Sequence, residues 1–181
     1  SLVEQVDKKF LGAHYSDNDG DLFKIEGMGD PFGESRQRRR GGQREPYEGF
    51  INKEGSSRGP ALSYLLDAVR RGDDSDLEKH LDVKGFLRWL AANHILANLD
   101  SYTGMGHNGY IYAFEKNRFT FIPWDMNEAF GKFTYGRSQA QMEGLDIFRP
   151  FIRNKALIDR VLGNKSWRAL YLEKVRSLMK G

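Results

Sequence analysis

Asp100, Asn108 and Asp125 are the residues of this chain whose types and spacing could do chemistry. Two carboxylates and an amide offer hard oxygen atoms. Mg2+ is commonly held by one or two such groups, with phosphate oxygens and water completing its shell. A trio of this kind is what a Mg-nucleotide phosphotransfer site requires.

Something must bring them together, and the flanking residues predict what. Gly109-Tyr110-Ile111-Tyr112-Ala113-Phe114 and Arg118-Phe119-Thr120-Phe121-Ile122 are rich in aromatic and β-branched residues, with polar Glu115-Lys116-Asn117 between them. That pattern predicts a hairpin over 109–122. With Lys116 and Asn117 as the central turn residues, Asn108 faces Asp125 at the open end, Cβ atoms roughly 4.5–5.5 Å apart. Pro123 cannot donate to a ladder, so pairing is expected to fray just before Asp125 and free its carboxylate to turn into a cleft. Upstream, Asp82 suits the N-cap of a helix whose apolar stripe is Val83, Phe86, Leu87, Leu90, Ala91 and Ile95. This helix is expected to be central, buried and to end at Asp100. His94 on it reads as a hydrogen-bonded core residue rather than a ligand. Taken singly, Asp100 also suits a cap, Asn108 a turn and Trp124 a core position; it is their convergence that favours a site.

These segments resemble a known family. Asn98-Leu99-Asp100-Ser101-Tyr102, the Asn-Gly-Tyr-Ile-Tyr run at 108–112, and Phe121-Ile122-Pro123-Trp124-Asp125-Met126-Asn127 are similar to hallmark segments of the spore coat protein H (CotH) kinase family. Residues 3–11 and 17–24 resemble its entry segment, and residues 157–172 its closing helices. The resemblance implies a divergent protein-kinase-like fold, here the carboxy-terminal lobe: an α+β, mainly α domain with a small hairpin. It implies transfer of the ATP γ-phosphoryl group to a protein hydroxyl, serine or threonine, with Asp100 orienting the acceptor and Asn108 plus Asp125 holding Mg. By the same resemblance Leu2 to Val6 is the linker between lobes, so the backbone of Glu4 and Val6 would meet adenine. The implied partner is a coat or surface protein, and the implied location is the spore coat, cell surface or medium. Asn127 would assist the metal or cap a turn.

Two departures qualify the likeness. Ordinary kinases write the catalytic-loop pair as Asp-x-x-x-x-Asn, whereas eight positions separate Asp100 from Asn108. Gly104 and Gly106 let a longer, flexible loop close the gap. There is also no phosphate-covering glycine loop followed by a strand lysine. The amino-terminal lobe is therefore expected to be missing, and Ser1-Leu2-Val3 reads as the start of a fragment. Two other readings stay open: a catalytically silent coat or surface assembly protein, and nucleotidyl transfer on the same scaffold.

The rest of the chain bounds these expectations. At 181 residues and 39% hydrophobic it suits one domain with one core, divided into linker 1–7, helix and long polar loop 8–60, and helical lobe 61–181. No apolar run approaches the roughly 20 residues that cross a bilayer. With no cysteine, disulfide and zinc-thiolate frameworks are excluded. A net charge of +3 does not call for nucleic acid, and Arg36-Gln37-Arg38-Arg39-Arg40 with Arg44 reads as a solvated loop before an anion-binding patch. Asp7 to Tyr15 is expected as a short amphipathic helix, and residues 16–60 as connection. There Asp17, Asp19 and Asp21 read as an acidic turn, since Leu22 and Met28 replace the Gly and Glu of a calcium loop. Further helices are expected over 60–71, 155–162 and 166–179. Residues 130–141 read as an activation or substrate loop. Gly104 to Gly109 spells Gly-x-Gly-x-x-Gly, but it follows a helix and enters a strand, the reverse of the dinucleotide fingerprint. Ser101, His107 and Asp125 lack the Gly-x-Ser-x-Gly elbow of a hydrolase. The histidines at 14, 80, 94 and 107 have no ligand spacing.

Overall fold

The structure, a computed structural model, describes residues 4–27, 29–33, 49–55, 60–115, 117–149, 152 and 154–180. The arginine run at 36–44 and Met28 lie outside them. The architecture is α+β and mainly helical: α1 (Lys8–His14), β1 (Leu22–Ile25), β2 (Phe50–Glu54), α2 (Pro60–Arg71), α3 (Asp74–His80), α4 (Val83–Ile95), β3 (Gly109–Phe114), β4 (Arg118–Pro123), α5 (Gln139–Glu143), α6 (Ala156–Gly163) and α7 (Lys165–Lys180).

Where the sequence suggests a lone hairpin, the structure has a four-stranded antiparallel sheet, ordered β2-β1-β3-β4. The stretch 16–60 is therefore more than a connection. Its strands are only four and five residues long and lie among glycines and charges, so their alternation is too brief to stand out. What makes β1 a strand is tertiary: Phe23 and Ile25 face the main core, while Leu22 faces the opposite side.

That alternation gives the sheet two covered faces. Phe23, Ile25, Ile111, Ala113, Phe119 and Phe121 join the helices in the main core. On the other face, Leu22, Tyr110, Tyr112 and Ile122 pack with Val6 and Leu11, the latter carried by α1. Asp7 caps α1, accepting from the backbone N–H groups of Lys9 and Phe10 at 2.9 and 3.0 Å.

α4 runs through the centre, between α7 and β4. Asp82 is its N-cap, accepting from Gly85 N at 3.1 Å, a contact worth about 1 kcal/mol. Phe86, Leu87 and Leu90 are fully buried, each contributing about 1.5–3 kcal/mol. Two expectations need correcting here. Ile95 is exposed rather than part of the stripe. The helix also stops at Ile95, five positions short of Asp100, because Ala97 takes a left-handed turn with φ 45°. α3 and α5 have no counterpart in the sequence reading; both are short and mostly exposed, each burying one residue, Leu77 and Met142.

Several tyrosines are sealed into this core. Burial, and then hydrogen bonding to Asp17, pushes the Tyr112 hydroxyl up to about 12. Burial also raises Tyr102 and Tyr171. The folded chain thus keeps protons that the unfolded chain releases near its ordinary tyrosine pKa of about 10. The resulting stability is whole below pH 10 and is lost as pH climbs toward 12. Urea midpoints measured at pH 9, 10.5 and 12 should fall across that series. The fall should be shallower in Tyr112→Phe; an equal fall in the variant would remove Tyr112 from the account.

Candidate functional site

The chain leaves α4 into a loop, residues 96–108, that is braced from within. The hydroxyls of Ser101 and Thr103 both donate to Asn98 O, at 2.8 and 3.0 Å. Met105 N donates to Leu99 O, and Gly104 N and Gly106 N both donate to Ser101 O. Glycine is required twice. A Cβ on Gly104 would lie 1.8 Å from Leu99 O, and one on Gly106 would lie 2.1 Å from Gly29 O. Gly106 also has φ +89°. Gly106→Ala should cost about 2–4 kcal/mol, from left-handed strain and forced displacement of Gly29, read as a lowered thermal midpoint.

The bracing brings Asp100 and Asn108 into contact despite their wide spacing. Asn108 Nδ2 donates to Asp100 Oδ2 at 2.9 Å and to Asp100 O at 2.8 Å. Asn108 sits at φ 54°, a conformation asparagine tolerates better than most residues. The other carboxylate oxygen, Asp100 Oδ1, lies 2.9 Å from His107 Nε2. The side chains of Asp100 and His107 are 19% and 25% exposed, so the pair is shielded yet reachable. His107 was set aside in the sequence as a hydrolase decoy. The signal that could have found it is its place beside Asn108, at the closing end of the same glycine loop.

Asp125 is not directly opposite Asn108. Phe114 pairs with Arg118 and Gly109 with Pro123, so continuing the ladder sets Asn108 against Trp124. The turn has three residues, with Glu115 at φ 40° and Asn117 at φ 69°, and a three-residue turn ending in a left-handed residue shifts the register by one. Asp125 follows at φ 53°, exposed, with no side-chain hydrogen bond capping the 3-10 turn Met126–Glu128. Its segment still borders the Asp100 loop. Asn98 Nδ2 reaches Met126 Sδ at 3.2 Å, and Phe130 N donates to Leu96 O at 2.6 Å.

The remaining expected residues are placed as follows. Val6 is buried in the cluster that Trp124 packs against, and Glu4 is exposed just before it. Asn127 turns its amide to Glu128 Oε1 at 3.3 Å. His94 is not the hydrogen-bonded core residue expected: its Nδ1 is buried without a partner among the described residues, and burial lowers its pKa. Asp17 accepts the Tyr112 hydroxyl.

In kind, these donors suit a hard cation. With Nδ2 committed to Asp100, Asn108 has its Oδ1 as the remaining acceptor, and Asp125 offers an exposed carboxylate. Among the described residues no group of three or more His, Cys, Asp or Glu could hold a metal.

Beside the loop is a cavity of about 170 Å³, bounded by Gly29, Asp30, Gly104, Met105, Tyr135 and Lys155. A shallower apolar groove runs past Leu96, Ala97, Phe130, Met142 and Met179. Neither is lined by Asp100, Asn108 or Asp125. The first matters for support. Lys155, buried, donates to Gly29 O at 2.5 Å, and Gly29 N donates to Met105 O at 3.0 Å. Asp30 accepts from Tyr102 Oη at 3.0 Å and from Ala156 N at 2.6 Å. Sequence reasoning missed both Asp30 and Lys155, since nothing local marks a carboxylate or an ammonium that works across the fold.

No helix among the described residues is long and apolar enough to cross a membrane. The sequence profile described as CotH kinase protein matches residues 1–181. Inner spore coat protein H of Bacillus subtilis (strain 168) is 37% identical over 67 residues, covering 36% of this chain and 18% of that relative's length.

Proposed function

The chain belongs to the CotH kinase family, and on that premise we propose that it forms part of a protein kinase acting on serine or threonine hydroxyls with Mg-ATP. The observation that carries this reading is the bond between Asn108 and the Asp100 carboxylate. It sets a proton-accepting group and an amide oxygen side by side, with Asp125 on the adjoining segment.

Phosphoryl transfer asks mainly for positioning and charge neutralisation. A carboxylate has about four acceptor sites. His107 and Asn108 each take one of those on Asp100, so capacity remains to orient an acceptor hydroxyl and accept its proton. Asn108 Oδ1 and the Asp125 carboxylate would hold the cation, which draws charge from the phosphate oxygens when bound. The backbone near Glu4 and Val6 would meet adenine, as the family likeness suggests. Groups that grip the phosphates would come from parts of the protein other than the described residues. Given the relative's name, the acceptor is proposed to be a coat or surface protein.

The test compares γ-labelled and α-labelled ATP with an intact protein containing this region. Label from the γ position alone should reach serine or threonine of the acceptor. Label from the α position would replace the reading with nucleotidyl transfer. No label from either, with acceptor binding retained, would leave a silent assembly scaffold.

A further inference from the structure

Asp100 lies in a loop, and a lone aspartate side chain there is free to rotate about two bonds. In this structure both of its oxygens are pinned, by donors from consecutive residues. Asn108 Nδ2 holds Oδ2, and His107 Nε2 lies 2.9 Å from Oδ1. An ionised carboxylate only accepts hydrogen bonds, so the imidazole must be the donor. Among the described residues the His107 side chain makes this one hydrogen bond, and the ring is three-quarters buried around it.

We infer that His107 is a positioning residue: it fixes the plane of the Asp100 carboxylate, so that the oxygen capacity left over faces one direction. Asn108 alone would leave the group free to swing about the single Oδ2 contact. The second bond removes that freedom and closes the loop between its two ends, parallel to the Met105–Leu99 backbone bond. The inference rests on the phosphotransfer reading for its kinetic consequence, but not for its geometry.

The experiment therefore has two arms, run on the intact protein with the variants His107→Phe and His107→Gln. Gln carries a donor nitrogen at about the reach of Nε2 and lacks the ring. In the first arm, His107→Phe should lower kcat by about 10–100-fold, the usual effect of removing a supporting hydrogen bond, with KM for ATP nearly unchanged. His107→Gln should recover most of the loss. In the second arm, the Asn108 side-chain amide is followed by NMR without nucleotide. It should exchange slowly with solvent in the wild type and in His107→Gln, and faster in His107→Phe.

Wild-type turnover in His107→Phe would overturn the inference, as would an unmoved Asn108 signal. If His107→Gln is as inactive as His107→Phe, the ring itself reacts and a positioning role is wrong. If the wild type transfers no phosphate, the phosphotransfer reading fails, and the amide signal alone decides the geometry. Thermal midpoints of both variants guard against a folding defect, with His107→Gln the variant that decides should His107→Phe fail to fold.

Discussion

Exchanging Asp125 for Asn should cut γ-phosphoryl transfer by about 10²–10³-fold or more, the scale of removing one preorganised charge from a transfer site. Its thermal midpoint should stay within about 1–2 °C of the wild type. The two halves of this expectation have separate causes. Asp125 is exposed and makes no side-chain cap bond, and changes at such positions fall within about 0.5 kcal/mol. In a domain of this size that is about 1–2 °C. Asn is the right replacement because the backbone stands at φ 53°, which Asn accepts and Ala resists. An alanine variant would therefore mix strain with loss of charge. Label transfer and differential scanning calorimetry on the same preparation check the claim. Undiminished transfer in Asp125→Asn would remove this carboxylate from any metal role.

Asp30→Ala should do the opposite, unfolding the protein several degrees early before any chemistry is considered. One carboxylate accepts three hydrogen bonds: from Tyr102 Oη at 3.0 Å, from Ala156 N at 2.6 Å and from Phe32 N at 3.2 Å. Tyr102 is fully buried, so its hydroxyl would have no water to turn to. Each donor stranded in this way costs about 1–3 kcal/mol. All three bonds are only partly buried, which brings the sum to about 3–5 kcal/mol, or about 6–20 °C in thermal midpoint. Asp30→Asn should recover part of the loss by keeping one acceptor oxygen. A midpoint within 2 °C of the wild type in Asp30→Ala would mean that solvent already satisfies these groups.

The sequence made the long helices legible because their apolar spacing is repeated. Leu62, Leu65, Leu66 and Val69 are buried on α2, and Leu157, Ile158, Val161 and Leu162 on α6. Asp82 was readable as a cap because its chemistry is local. The hairpin was readable too, but its register was not. One residue more in the turn shifts Asn108 from Asp125 to Trp124, and that choice depends on left-handed backbone at Glu115 and Asn117. β1 and β2 were hidden because a four-residue strand takes its identity from partners far along the chain. In the candidate site, Asp100, Asn108 and Asp125 stood out only together, through residue type, spacing and the segments that carry the family likeness. His107 was visible but misfiled. Asp30 and Lys155 could not be seen, since what they do depends on residues more than seventy and a hundred positions away.

The brace around Gly29 and Asp30 also bears on the order of events during synthesis. Its members come from three remote stretches, near residues 30, 105 and 155. A nascent chain that has emerged only as far as the 3-10 turn Met126–Glu128 holds Asp100, Asn108 and Asp125, yet lacks the ammonium of Lys155 and the first amide of α6. Competence of the loop should therefore switch on late, when the final helices leave the ribosome and draw it tight.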